Sequence, residues 1–303
     1  MTDSPGILEY AAFTTVPTQG NPAGVVLDAI GWDVGRMQAL AAELGHSETA
    51  FVVGVASSGT GGADDAGGGV GAGEALTVRY FTPEVEVGFC GHATIATAVA
   101  WAERHGPGER TFRIPAGEIT VDVTEIDDRL AAEITSVPAI TRTADPAVVA
   151  EVLLTLGWTA DDLDPAWPGH IAYAGNEHLV LVTATRARLA ALDYAYADLR
   201  AVMVREGWAT LQLVHPTGAD SFAARNPGPS VGVREDPATG SAAAALGAYL
   251  RAVDPREELR EIEIVQGEDM GRRSVLRVTI DPADERVRVS GTAVPLTRPP
   301  SDN

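Results

Sequence analysis

The residues best equipped for chemistry stand just ahead of two alanine-rich segments. In "GFCGHATIATAVAWAE" (88–103), Cys90, Gly91, His92 and Ala93 lead into a run of helical composition, and in "REDPATGSAAAALGAYLRA" (234–252), Asp236, Thr239, Gly240 and Ser241 lead into another. A helix N-terminus carries unpaired N–H donors and about half a positive charge, enough to hold a carboxylate without any cationic side chain. Neither first turn, "ATIA" or "AAAA", contains an acidic residue to occupy those donors, although the chain is rich in acid. Capping by Thr94 and Ser241 is the plainer reading of either start taken singly. Two such starts in one chain favour an anion site made by both.

Other groups qualify by type. His92 can give or take a proton near neutral pH, although a lone histidine is more often structural. Cys90 stands beside the same helix start, but a single buried cysteine usually just packs. Glu48, in "HSETAFVV", immediately precedes an apolar strand, and apolar surroundings raise a carboxyl pKa toward the range where one group both takes and returns a proton. Its structural alternative is a carboxylate at a strand edge, capped by Ser47. Asp236, before Pro237, is held extended or in a turn at the second helix start.

The elements that must position these groups belong to a soluble globular chain of 303 residues with 45% hydrophobic residues, long enough for two domains. A formal charge of −20 repels phosphate backbones and anionic lipid, so nucleic acid and membranes are poor partners and a small molecule is the better one. No apolar run approaches the ~20 residues of a membrane span, and "MTDSPGILEY" lacks the basic and apolar regions of a signal peptide, so a cytoplasmic location is expected. A single cysteine rules out an internal disulfide, a multi-cysteine metal site and any mechanism needing two thiols. There is no lysine, so no side-chain amine can form a Schiff base with pyridoxal phosphate or a carbonyl substrate. No cofactor and no metal are expected.

"ILEYAAFTTVPTQGNPAGVVLDA" reads as two strands about a turn, and "DVGRMQALAAELGH" as a helix stopped at Gly45. "SETAFVVGV" and "EALTVRYFTP" read as strands, separated by a glycine-rich loop (57–73) with no assignable role. The helix after Cys90 stops at Gly106 and is followed by three short strands. From about Thr141 the order begins again: helices at "PAVVAEVLLTLGW" and "YADLRAVMVREGW", strands at "NEHLVLVTA" and "ATLQLVH". "DSFAARNPGPSVGVREDP" reads as a turn leading to the second helix start. The chain thus has two halves on one plan, and the last strand, in "RVRVSGTAVPL", is expected to return to the first half's sheet.

The blocks "FTTVPTQGNPAGVVLDA", "MQALAAELGHSETAFV", "RYFTPEVEVGFCGHATIATA", "REDPATGSAAAALGAYL", "QGEDMGRRS" and "VRVSGTAV" together resemble the PhzF-like phenazine-biosynthesis isomerase family, in that family's order, from near residue 8 to near 296. The resemblance implies an α+β chain of diaminopimelate-epimerase-like fold: two pseudo-symmetric domains, each a mostly antiparallel sheet wrapped around a central helix, with the active site in the cleft between them. The expected boundaries are 1–126 completed by 286–298, and 127–285. It also implies cofactor-independent isomerisation of a small carboxylated substrate, like that of trans-2,3-dihydro-3-hydroxyanthranilate; a homodimer is expected as the commonest default for such enzymes. The family's acid/base glutamate falls on Glu48, and its histidine, aspartate and serine fall on His92, Asp236 and Ser241. Gly91, Ala93, Thr239 and Gly240 fall at the substrate. The epimerase branch of the fold uses one cysteine from each half, and near Gly240 there is no thiol, which leaves a one-carboxylate mechanism. Two further readings stay open at this stage: a non-catalytic small-acid-binding protein, and a one-carboxylate amino-acid racemase or epimerase.

Overall fold

A computed structural model of the chain describes residues 6–57 and 74–296; the glycine-rich loop noted above lies outside them apart from its first residue. Contacts divide the chain into one unit of residues 1–135 with 290–303, and a second of residues 136–289.

In the first unit, β1 (Ile7–Ala12) and β2 (Asn21–Val26) form a hairpin, with Ile7 opposite Val26 and Ala12 opposite Asn21. Its turn requires a left-handed residue at Gly20 (φ 70°), where a Cβ would lie 2.4 Å from the Ala12 carbonyl oxygen. Helix α1 (Val34–Leu44) starts at Asp33, whose carboxylate accepts the Arg36 N–H at 2.8 Å, and stops at Gly45 in the left-handed region, as the sequence predicts. Its Met37 and Ala41 bury against Val26, Phe51 and Phe81. This helix makes the crossover by which β3 (Thr49–Ser57) joins β2 in parallel; β4 (Glu74–Phe81) then returns antiparallel and β5 (Glu86–Val87) pairs with its end.

Helix α2 (Gly91–His105) is the second crossover, bringing β6 (Gly108–Ile114) parallel to β4; β7 (Gly117–Ile126) and β8 (Arg129–Thr135) follow antiparallel. Every residue of α2 from His92 to Ala102 is buried, and the helix contacts β1, β2, β3, β7 and β8. A helix buried on all sides lies inside its sheet rather than on it. Its many alanines let the strands close around it.

The second unit repeats the pattern after β9 (Ile140–Thr143) and α3 (Pro146–Leu156). Strands β10 (His170–Tyr173) and β11 (Glu177–Val182) form an antiparallel pair, and α4 (Arg186–Ala190) and α5 (Tyr196–Glu206) cross over to β12 (Trp208–Gly218), parallel to β11. Then β13 (Ser221–Gly228) and β14 (Val233–Asp236) run antiparallel, helix α6 (Gly240–Val253) crosses over, β15 (Arg260–Gln266) lies parallel to β13, and β16 (Ser274–Ile280) is antiparallel to β15. Helix α6 is buried from Ala242 to Leu250 and contacts β9, β10, β11, β12 and β16. The two units therefore share one sequence of antiparallel and parallel pairings around a central helix, which is the expected α+β fold. The final strand β17 (Val287–Pro295) pairs antiparallel with β1, its Ala293 opposite Ala12 and its Pro295 opposite Tyr10.

One expectation is corrected. "SFAARNPG" is a strand, β13, and not a turn. It is buried along Phe222–Gly228 and pairs on both sides, so it lacks the apolar–polar alternation that marks a half-exposed strand. Pro227 is tolerated because it lies beyond the residues that pair with β15.

Candidate active site

In the first unit, Glu48 is the residue immediately before β3. Its carbonyl accepts the Gly24 N–H at 3.2 Å, and a Cβ on Gly24 would fall 2.6 Å from Thr49 Oγ1, so only glycine permits this approach. The Glu48 side chain keeps 22% exposure, and one carboxyl oxygen lies 3.4 Å from His92 Nε2. His92 is buried at the first turn of α2; its Nε2 also stands 3.3 Å from Ser47 Oγ, and its Nδ1 3.3 Å from Cys90 Sγ. Burial pushes the Glu48 carboxyl above its ordinary range, while hydrogen bonds from Ser47 and Cys90 pull it partly back. The carboxyl is thus poised to exchange a proton.

The start of α2 is not capped by its own N-cap side chain. Cys90 is the N-cap and makes no side-chain cap bond. Thr94, the plainer capping candidate, instead donates its hydroxyl back to the Cys90 carbonyl at 2.7 Å, so the Tyr80 hydroxyl 2.6 Å away must be the donor to Thr94. Tyr80 and Thr94 therefore fix the Cys90 carbonyl, and the Cys90 side chain itself makes no cap bond to the first turn around Gly91 and Ala93.

In the second unit, the start of α6 is uncapped in the same way: Thr239 is the N-cap without a side-chain cap bond. Its hydroxyl donates to Asp236 Oδ2 at 2.6 Å. Gln266 braces the loop, its amide nitrogen 2.7 Å from the Asp236 carbonyl and 3.1 Å from Thr239 Oγ1, and its amide oxygen 3.3 Å from Thr239 N. Ser241 does not cap α6 either. Its Oγ lies 3.0 Å from Nε2 of His178, a fully buried residue of β11. Gly240, between Thr239 and Ser241, opens the helix.

Each sequence-predicted residue thus falls in one of two groups: Glu48, Cys90, Gly91, His92 and Ala93 in the first unit, and Asp236, Thr239, Gly240 and Ser241 in the second. Sequence reading missed Ser47 as a histidine partner, and it missed His178, Gln266 and Thr210. His178 sits at the head of an otherwise apolar strand, "EHLVLV", next to Glu177, and nothing in the linear sequence singles it out. The ligand atoms of Glu48, Cys90 and His92 lie within 4.8 Å of one another, so these three could also share one metal ion, at the cost of the carboxyl's freedom to move a proton.

The fold is of the diaminopimelate-epimerase-like kind, and the chain's sequence relatives are isomerases. The chain belongs to the phenazine biosynthesis-like PhzC/PhzF family, whose model matches residues 10–298. It is 32% identical over 305 residues to the uncharacterized isomerase YddE of Escherichia coli K12, covering 96% of each chain. It is also 32% identical over 298 residues to the trans-2,3-dihydro-3-hydroxyanthranilate isomerase of Pseudomonas chlororaphis, covering 95% of each. Among solved structures, a PhzF-family protein of Bacillus anthracis matches with a TM-score of 0.82 at 24% identity over 96% of both chains. A probable proline racemase of Agrobacterium radiobacter shares the fold at a TM-score of 0.60 and 15% identity, over 98% of this chain and 93% of that one. No helix among the described residues is long and apolar enough to cross a membrane.

Proposed function

We propose that this chain is a cofactor-independent isomerase that moves a proton within a small carboxylated substrate, with Glu48 as the single group that takes the proton and returns it. The observation that supports this reading most is the Glu48 carboxyl itself, raised by burial and set 3.4 Å from His92 at an uncapped helix start. One group of intermediate basicity suits a shuttle, because the same atom must be base in one half-reaction and acid in the next. The first-turn N–H groups at Gly91 and Ala93 would hold the substrate carboxylate and the charge that develops beside it, a contribution of about 3 kcal/mol per well-placed donor. His92 polarises the reacting system. Asp236 and Ser241, with Thr239 and Gly240, are the second unit's own polar groups assigned to substrate binding.

A substrate related to trans-2,3-dihydro-3-hydroxyanthranilate fits this assignment, since the chain resembles the Pseudomonas chlororaphis enzyme that bears that name. The reading includes a cytoplasmic homodimer, which sedimentation at micromolar concentration tests directly. The mechanism is tested by proton NMR in heavy water. Wild-type protein incorporates deuterium into a turned-over cyclic dienoic acid with migration of its double bond, whereas Glu48→Gln binds the acid and incorporates none. Exchange at the wild-type rate in Glu48→Gln removes Glu48 from the reaction, and loss of optical rotation without migration replaces the isomerase with a racemase.

A further inference from the structure

The block "QGEDMGRRS" (266–274) begins at the end of β15 and lies against the loop that carries Asp236. Gln266, the last residue of β15, is fully buried and directs its whole amide at that loop. Its Nε2 donates to the Asp236 carbonyl at 2.7 Å and to Thr239 Oγ1 at 3.1 Å, and its Oε1 accepts the Thr239 N–H at 3.3 Å. The amide cannot be turned over, because the reverse orientation sets oxygen against the Asp236 carbonyl and NH2 against the Thr239 N–H. An amide nitrogen only donates, so the Thr239 hydroxyl is an acceptor toward Gln266. Its own hydrogen goes to Asp236 Oδ2 at 2.6 Å.

The residues after Gln266 hold it in place. Gly267 is left-handed (φ 73°), and a Cβ there would fall 2.8 Å from the Pro237 carbonyl oxygen and 2.5 Å from that of Arg272, so only glycine lets this turn approach the Asp236 loop. Arg186 of α4 grips the next two residues, its Nη2 standing 3.3 Å from Glu268 Oε2 and 2.9 Å from Asp269 Oδ1.

We propose that Gln266 is a positioning residue: by clamping both ends of the Asp236–Thr239 segment and engaging the Thr239 hydroxyl, it sets the direction of the Asp236 carboxylate. Pro237 has no N–H to give, and the two backbone groups that Gln266 engages stand on either side of it. A misplacement of about 1 Å in such a group can cost on the order of a hundredfold in rate. The brace lies wholly in the second unit and stands on its own geometry; its effect on turnover rests on the isomerase reading.

Gln266→Met keeps the volume and removes all three bonds. Crystal structures of ligand-free wild type and Gln266→Met give the first test: in the variant, Asp236 Oδ2 should part from Thr239 Oγ1 beyond hydrogen-bonding distance. An unchanged contact overturns the proposal. Deuterium exchange into a cyclic dienoic acid gives the second. In Gln266→Met, kcat should fall roughly tenfold or more with KM within about threefold of wild type, whereas on an Asp236→Ala background the same substitution should cost less than about twofold. An equal loss on both backgrounds is a general effect of the substitution and overturns the positioning role. Should Gln266→Met not fold, Thr239→Val takes its place, removing the hydroxyl while keeping the shape. Asp236 should then turn away in its crystal structure, and an unmoved carboxylate overturns the proposal. Absence of exchange in wild type counts against the isomerase reading, and the crystal structures still decide the brace.

Discussion

A carboxyl oxygen of Glu48 lies 3.4 Å from Nε2 of His92, and the opposite ring nitrogen lies 3.3 Å from Cys90 Sγ. Cys90 Sγ is also 3.8 Å from Nε2, so an acid, an imidazole and a thiol form one cluster at the first turn of a buried helix, and that cluster sets how the protein should respond to pH, metal and substitution.

The acidic limb of kcat/KM should lie above the ordinary glutamate range of about 4.3, because burial raises the Glu48 carboxyl and the base form must be ionised. A pH–rate profile checks this, and a limb at or below the ordinary value would show that another group supplies the base.

Stability should carry the same signature with the opposite sense. Between the ordinary carboxyl value and the raised one, the folded protein binds more protons at Glu48 than the unfolded chain does, so this residue's contribution to stability falls as pH rises through that window. Glu48→Gln removes the cost of a buried charge, and its Tm should exceed the wild-type value at pH 7 while the two converge near pH 4. Thermal unfolding at both pH values tests it; a lower Tm at pH 7 would show that the carboxylate is a net stabiliser.

Zinc should inhibit. The 3.4 and 3.8 Å separations from His92 Nε2 to Glu48 and to Cys90 are close to the ~3.3–3.6 Å ligand edges of a tetrahedral zinc built from bonds of about 2.0–2.3 Å. Micromolar Zn²⁺ should suppress isotope exchange and a chelator should restore it, with the inhibition constant weakened at least tenfold, roughly, in Cys90→Ser. Equal inhibition of both proteins would place the ion elsewhere.

Glu235→Ala should unfold far more readily than wild type. Glu235 and Arg225 are each 10% exposed at the side chain and form a two-pronged pair, Nε to Oε1 at 2.8 Å and Nη2 to Oε2 at 2.5 Å, that ties β14 to β13 directly before Asp236. Removing Glu235 leaves the buried Arg225 guanidinium without its carboxylate and held only by the Ala190 carbonyl at 2.9 Å and the Leu189 carbonyl at 3.5 Å, a loss of about 3 kcal/mol. Urea denaturation measures it, and a loss below ~1 kcal/mol would mean that water replaces the carboxylate.

The local elements were legible where local chemistry decides them. Asp33 and Gly45 delimit α1 in the sequence as they do in space, and the alanine-rich runs after Cys90 and Thr239 are helices. Strand β13 was not legible: Phe222–Gly228 is buried on both faces, so its pattern carries no alternation, and "NPGP" dominates what a linear reading sees. The roles of Thr94 and Ser241 were equally hidden, since a hydroxyl at a helix start reads as a cap until the groups it meets are known: the Cys90 carbonyl and the Tyr80 hydroxyl for Thr94, and His178 for Ser241.

The sequence by itself determined the inventory: one cysteine, no lysine, two acid-free helix starts and a glutamate before an apolar strand. These are properties of residue type and near-neighbour spacing, and no folding is needed to state them. Only the tertiary structure decided what each group meets, because the partner of Ser241 and the basicity of Glu48 depend on residues 63 and about 40 positions away and on exclusion from water, quantities that exist only once β11 packs against α6 and β3 against α2.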